Sequence, residues 1–341
     1  MKILVVSTPI FKCPPSGYSG LEAIAYHTAV GLASRGHEVA VVAPEGSSCG
    51  NVELIPTGPE RSISEKRAYD KYWHRLLEFD AIVDHSWEKW SYILKMEGKL
   101  KAPILGVLHA PVNTMYAEYP PVEKPCMVCI SHDQASHLHS LHGVESKVCY
   151  NGVDVDYYKS SGIPKTDRFL FLARFSTIKG PLLAIEASRK AGASLDLVGD
   201  STITNEPEYL DRCYRNSDGS QIKIVGPATR GECVHWFSRA RAFLHPNKQF
   251  REPIGLAPVE AALTGLPVIA WDNGAMRETV KHGESGFLVK SVEHMAELIR
   301  NNADKDIKPE SCREWASQFS IQKMVERYEQ LCVEAVEGGG W

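Results

Sequence analysis

No stretch of this 341-residue chain approaches the ~20 consecutive apolar residues that span a bilayer. That excludes a helical membrane span. A secretory leader is not expected either: "MKILVVSTPIF" has only a short apolar run, interrupted by Pro9 and Lys12, and no small-residue cleavage pattern. It reads as a first strand. An excess of one charge is lacking, since 38 basic and 42 acidic residues leave a net −4, so no global field draws nucleic acid or anionic lipid. No GxGxxG follows the first strand, which removes the main support for a nicotinamide or flavin enzyme. The nine cysteines are odd in number and scattered, as expected of reduced thiols in a cytoplasmic protein. Cys126 and Cys129 have CxxC spacing with His132 nearby, but no second ligand pair exists, so "PCMVCIS" reads as a strand with core thiols rather than a zinc site.

What is present is ordinary globular composition, 43% hydrophobic and 23% charged, in a chain long enough for two cores. Strand and helix signals alternate. "KILVVST" is followed by the helical "SGLEAIAYHTAVGLASRG", closing at Gly36, and then by "HEVAVVAP", "FDAIVDHS", "APILGVLHA" and "CMVCISH". After the turn-rich "NGVDVDYYKSSGIPKTD" the alternation restarts with "RFLFLARF", "PLLAIEASRKAG", "SLDLVGD", "QIKIVGP", "ECVHWFSRA", "AFLHPN" and "LPVIAWD". Repetition of this kind predicts an α/β chain of two Rossmann-like, doubly wound parallel sheets facing a cleft. The boundaries expected are 1–155 and 156–318, then 319–341 as a last helix, "SIQKMVERYEQLCVEAV", ending in a frayed "GGGW" tail.

The stretch "REPIGLAPVEAALTGLPVIAWDNG" carries the strongest local chemistry. Pro258 falls in the first turn of a helix that Gly265 closes, so the backbone N–H groups at Gly255 and Leu256 form an anion site at a positive helix end. Glu252 and Glu260 sit awkwardly beside an anion unless that anion is part of a larger ligand. Each carboxylate would then accept hydrogen bonds from vicinal hydroxyls, one on either side of a diphosphate. The plainer alternative makes Glu260 a solvated helix residue and Glu252 a carboxylate favoured by the helix dipole. Arg174 and Lys179, in "ARFSTIKG" at a strand's carboxyl end, supply two cations. Gly17 and Gly20 in "PPSGYSGLE" offer backbone amides, and His109 in "GVLHAP" ends another strand. Taken singly, each of these is equally well a plain turn or a surface charge.

Together, "REPIGLAPVE", "ARFSTIKG", "NGVD", "HPN" and the opening "PPSGYSGLEAIAYHTAVGLASRGHEV" resemble glycosyltransferase family four over nearly the whole chain. The "PPxGYxGxE" opening is similar to a bacterial and archaeal branch that includes antibiotic-pathway enzymes. The resemblance implies a GT-B fold with an acceptor-side first domain and a donor-binding second domain. It also implies a metal-independent, cofactor-free transfer of a hexose-type sugar from a nucleoside-diphosphate sugar, a UDP-sugar before a GDP- or ADP-sugar, with retention. Glu260 would hold the ribose hydroxyls and Glu252 a hydroxyl of the donor sugar. Arg174, Lys179 and the backbone of Gly255, Leu256 and Gly20 would stabilise the diphosphate, with His109 beside the sugar ring. Ser19 departs from the branch's second glycine, and Ile254, after Pro253, replaces the usual phenylalanine on the sugar side.

Rival readings have less behind them. Asp154 and Asp156 form a nominal Asp-x-Asp for a metal-dependent transferase, but they fall in the linker. A GT-B epimerase, or a non-catalytic nucleotide-sugar-binding subunit, would use the same donor residues. In "EKRAYDKYWHRLLEFD" the acids nearly balance the bases, so it reads as a solvated amphipathic helix before a membrane-surface one.

Overall fold

The computed structural model of the chain describes residues 1–16, 20–112, 124–202 and 206–341. They form two compact units: Met1–Gly152 with Ile321–Trp341, and Val153–Ser320. Gly17 and Ser19, and most of the loop that follows His109, lie outside the described residues.

The first unit is built on β1 (Lys2–Val6), β2 (Glu38–Ala43), β3 (Glu53–Pro56), β4 (Ala81–Asp84), β5 (Ile104–Leu108), β6 (Met127–Cys129) and β7 (Ser146–Val148). All pair in parallel, in the order β3-β2-β1-β4-β5-β6-β7. The order reverses between β1 and β4, the place where such sheets open a crevice at their carboxyl ends. The central strands are near-continuous apolar runs because helices cover both faces. Helix Ile321–Gly338 packs on helix Gly20–Ser34 so closely that a Cβ added to Gly31 would lie 2.3 Å from Val325. Arg35 and His37 fasten it through Glu329, and Lys147 through Glu334.

The second unit contains β8 (Phe169–Leu172), β9 (Leu195–Val198), β10 (Ile222–Gly226), β11 (Phe243–His245), β12 (Val268–Trp271) and β13 (Gly286–Val289). They are parallel in the order β10-β9-β8-β11-β12-β13. The stretch "NGVDVDYYKSSGIPKTD" is not a free linker. Val153 bridges Ser320 and donates to the carbonyl of Phe319 at 2.8 Å, while Tyr158 is 3% exposed. Asp154 accepts from the amides of Asp156 and Tyr157, which closes a turn, and Asp156 pairs with Lys159.

Three strands gave no clear signal. β3 and β7 lie at the two edges of the first sheet and are only partly buried, so neither has the apolar run of a central strand. β13 begins at Gly286, where an added Cβ would meet the Val268 carbonyl oxygen at 2.0 Å. The "GGGW" end differs from the frayed tail expected. The Trp341 indole donates to the Met127 carbonyl, its own carbonyl accepts from the Cys126 amide, and Lys147 sits 4.0 Å over its ring. "EKRAYDKYWHRLLEFD" forms helix Glu65–Tyr72 and then a 3-10 turn Trp73–Glu78, with Trp73 and Leu77 exposed. Among the described residues no helix is long and apolar enough to cross a membrane.

Candidate functional site

In the second unit, loops at the carboxyl ends of β8, β11 and β12 meet around one carboxylate. The β8 loop turns tightly, the Ser176 carbonyl accepting from the amides of Lys179 and Gly180 at 3.1 Å. Gly180 then starts helix Pro181–Ala191 with φ +70°, its Cα so near the Pro246 carbonyl oxygen that an added Cβ would lie 2.7 Å away. The turn aims Lys179 at Glu252, Nζ to Oε2, 2.6 Å. Asn247 donates to the same oxygen at 2.6 Å, and His245 Nε2 stands 3.9 Å from it. The loop from residue 247 to 252 is bound to the turn after β12. The Asn273 amide donates to the carbonyls of Asn247, Lys248 and Phe250, and the Ala275 amide to that of Glu252.

Electrostatics follow from this packing. Burial alone would raise the Glu252 carboxyl, but Lys179, His245 and Asn247 outweigh it and hold it below its ordinary value. Burial pushes His245 down to about 4, so its ring is neutral. Among the described residues its Nε2 has no hydrogen-bond partner, and neither do Arg174 Nε or Ser176 Oγ, all three buried. Buried polar atoms left unpaired are costly, and three of them, one 3.9 Å from the ionised carboxylate and two on the loop that carries Lys179, are groups a polar ligand would satisfy.

Helix Leu256–Leu263 starts from this point. Gly255, its N-cap, has φ +72°, and a Cβ there would meet Met276 Cε at 2.4 Å. The expectation that this glycine serves ligand approach is therefore joined by a backbone reason. Leu256 opens the helix, and Ile254 is 5% exposed, packed within the protein. Glu260, one turn on, is partly exposed, and its partners are the Tyr158 hydroxyl and Arg230. Burial raises its carboxyl, and these two neighbours offset part of the rise. Arg230 also covers Tyr157 and Tyr158, at 4.5 and 5.9 Å from the ring centroids.

The first unit holds its own polar centre. His109 Nε2 meets His85 Nδ1 at 2.9 Å, and His85 packs edge-on to Tyr328, centroids 5.6 Å apart. Burial and the charge of Lys89 push His109 down to about 3. Gln134 fixes the strand end that carries His109, donating to the carbonyls of Leu108 and Ala110. Lys89 is 1% exposed; it bonds the Ser86 carbonyl and lies 4.0 Å from Asp84, which accepts from Ser86 and Ser91. Gly20 begins helix Gly20–Ser34 with open space where a side chain would be.

The structure thus joins Lys179, Glu252, Gly255 and Leu256 in one loop cluster with Arg174 on the same β8 loop, sets Glu260 with Tyr158 and Arg230, and places His109 and Gly20 on the first unit. Sequence reasoning missed Asn247, His245, Asn273, Tyr158, Arg230, His85 and Lys89. The "HPN" that begins with the last residue of β11 and the histidine right after β4 were available signals. Nothing local marks Tyr158, whose partner is distant along the chain. All nine cysteines are free, Cys126 and Cys129 buried among them. Among the described residues no group of three His, Cys, Asp or Glu side chains is placed to hold a metal ion.

Two family models match: "Glycosyltransferase Family 4" over residues 18–157 and "Glycosyl transferases group 1" over residues 156–319. Among curated relatives, a D-inositol 3-phosphate glycosyltransferase of Catenulispora acidiphila is 27% identical over 245 residues, 62% of this chain and 58% of the relative. An uncharacterised glycosyltransferase of Methanocaldococcus jannaschii is 24% identical over 216 residues, 62% of this chain and 60% of the relative. The match thus spans less than two-thirds of either relative's length. Among solved structures, AviGT4, a glycosyltransferase involved in avilamycin A biosynthesis, superposes with a TM-score of 0.76 at 23% identity, covering 99% of this chain and 98% of its own. Anabaena HepE in complex with UDP and glucose gives 0.76 at 19% identity, covering 97% of this chain and 98% of its own. The fold is GT-B.

Proposed function

We propose that the chain is a retaining glycosyltransferase that moves a hexose-type sugar from a nucleoside-diphosphate sugar to an acceptor hydroxyl, without metal or cofactor. The observation that carries the reading is the Glu252 cluster: a buried carboxylate engaged through one oxygen by Lys179 and Asn247, with Arg174, whose Nε has no partner among the described residues, on the loop that carries Lys179. Likeness to glycosyltransferase models along both units supports it. Lys179 and Arg174 take the diphosphate charge together with the backbone amides of Gly255 and Leu256 at the helix end. Glu252 turns its other oxygen to a hydroxyl of the donor sugar, and Glu260 accepts from the ribose hydroxyls. His109 and Gly20 belong to the same reading, as contacts of the sugar ring and the phosphates. As the bond from the sugar's anomeric carbon to the diphosphate oxygen breaks, the acceptor oxygen attacks on the same face. Its proton passes to the departing oxygen, so stabilising the leaving group is the main catalytic contribution.

A uridine nucleotide is favoured, since a structural relative is bound to UDP in one case and to UDP-glucose in another. A cytoplasmic setting, read from the cysteines, is part of the proposal. The test is thermal-shift screening against UDP-, GDP- and ADP-sugars with Glu260→Ala as control. One nucleotide class should stabilise the wild-type chain, and the variant should lose most of that shift. Absence of binding by every nucleotide-sugar and nucleoside diphosphate would overturn the reading. Sugar transfer, not epimerised donor, is the product expected.

A further inference from the structure

The His85–His109 pair, which the donor reading leaves unexplained, specifies a tautomer. Two neutral imidazoles in contact at 2.9 Å share one proton: either His85 Nδ1–H donates to His109 Nε2, or the reverse. Both rings are held neutral, burial being the larger cause and the Lys89 charge adding to it. The far nitrogen of His85 decides between the two arrangements. Nε2 is buried and has no partner among the described residues. If His109 were the donor, His85 would keep its own proton on Nε2, an orphaned N–H in the interior. If His85 is the donor, Nε2 carries only an unfilled lone pair. Orphaned buried N–H groups are the rarer and costlier of the two defects.

We infer that His85 is a positioning residue that donates from Nδ1 to His109 Nε2 and so fixes His109 as the Nδ1–H tautomer. With Nε2 committed as acceptor, the proton on Nδ1 is the one that His109, only partly buried, has to give. His109 is thereby a neutral hydrogen-bond donor and not a general base: its one basic lone pair is occupied. The surroundings suit that role. Gln134 pins the carbonyls on either side of His109, and Tyr328 packs edge-on against His85, limiting how far each ring can turn.

The inference rests on the donor reading only for what His109 touches; the tautomer assignment stands apart from it. Long-range proton–nitrogen correlation spectra of the full chain, with ring-labelled histidine, read the tautomer directly. His85 and His109 should both appear as Nδ1–H forms. In His85→Asn the side-chain amide donates from near the position of Nδ1, so His109 should stay in that form. In His85→Phe, which keeps a ring against Tyr328, His109 should change to the Nε2–H form, and transfer should fall about tenfold in kcat/KM, the loss of one oriented hydrogen bond. A wild-type His109 protonated on Nε2, or a His109 tautomer unmoved in His85→Phe, overturns the inference. If the tautomer behaves as stated while His109→Ala transfers sugar at the wild-type rate, the contact assigned to His109 fails instead.

Discussion

The two units share a parallel architecture but bury charge in opposite ways. Around Glu252, opposite charges touch: Lys179 at 2.6 Å, with Asn247 completing the shell, while His245 Nε2, 3.9 Å away, has no hydrogen-bond partner among the described residues. Around His109 the rings are neutral, and a buried cation, Lys89, stands 4.0 Å from Asp84 and leans on a backbone carbonyl. The first arrangement concentrates ionised groups where a charged ligand could exchange places with them. The second is a scaffold of hydrogen bonds that orients a neutral ring. One fold, used twice, therefore carries one electrostatic site and one orienting site.

Removing the cation from each centre is the sharpest way to break this comparison. Lys179→Met strands a buried carboxylate, which should cost about 3 kcal/mol of stability and lower donor turnover by about a hundredfold, measured by denaturant unfolding and by transfer assay. An unchanged unfolding midpoint would mean that the Glu252 pair is not a real charge pair. Gly255→Ala comes next. With φ at +72° and Met276 Cε 2.4 Å from the new methyl, it should lose about 2 kcal/mol. Gly255→Ala with Met276→Ala should recover only the steric share, which denaturation of both variants would separate.

Acid tests both centres at once. His245 and His109 are held at about 4 and about 3, far below the ordinary 6.5. Between those values and 6.5 the unfolded chain binds more protons than the folded one, so stability falls as pH is lowered through that window. The slope should reach about 1.4 kcal/mol per pH unit for each histidine. His245→Asn and His109→Asn should each flatten the stability–pH curve there; a slope unaltered in both variants would show that neither ring is kept neutral. Glu252, whose own value is depressed, adds to the loss from the ordinary carboxyl value of 4.5 downward, where the unfolded chain takes up that proton before the folded one does. The smallest effect belongs to Lys89→Met. Asp84 retains its bonds from Ser86 and Ser91, so the expected cost is about 1 kcal/mol. A cost equal to that of Lys179→Met would erase the contrast between the two units.

The same contrast explains what could be read from the sequence. The Glu252 centre is mostly contiguous: one loop and one helix start carry Glu252, Gly255 and Leu256, and a short strand-to-helix turn carries Arg174 and Lys179. Helix-end chemistry and cations at a strand's carboxyl end make them candidates, and the resemblance to a known family is what raises them above plain turns and surface charges. The His109 centre is assembled from separate strand ends and a distant helix: His85, right after β4, carries the same strand-end signal as His109, but nothing local joins the two, and Tyr328 has no local pattern at all. Asn273 is hidden for another reason: its work is done on backbone carbonyls, which any sequence could supply. The edge strands β3 and β7 escaped because half-buried elements carry half the apolar signal.

The junctions at 152/153 and 320/321 have a consequence for engineering. The second unit enters and leaves the chain at adjacent points, Val153 bonded to Phe319 and bridged to Ser320, while Gly152 abuts Ile321 closely enough to exclude a side chain. Topologically it is a cassette with both ends tied in its own fabric. Exchange of residues 153–320 between relatives would cut two neighbouring peptide bonds and no sheet, so the two units could be recombined as separate parts.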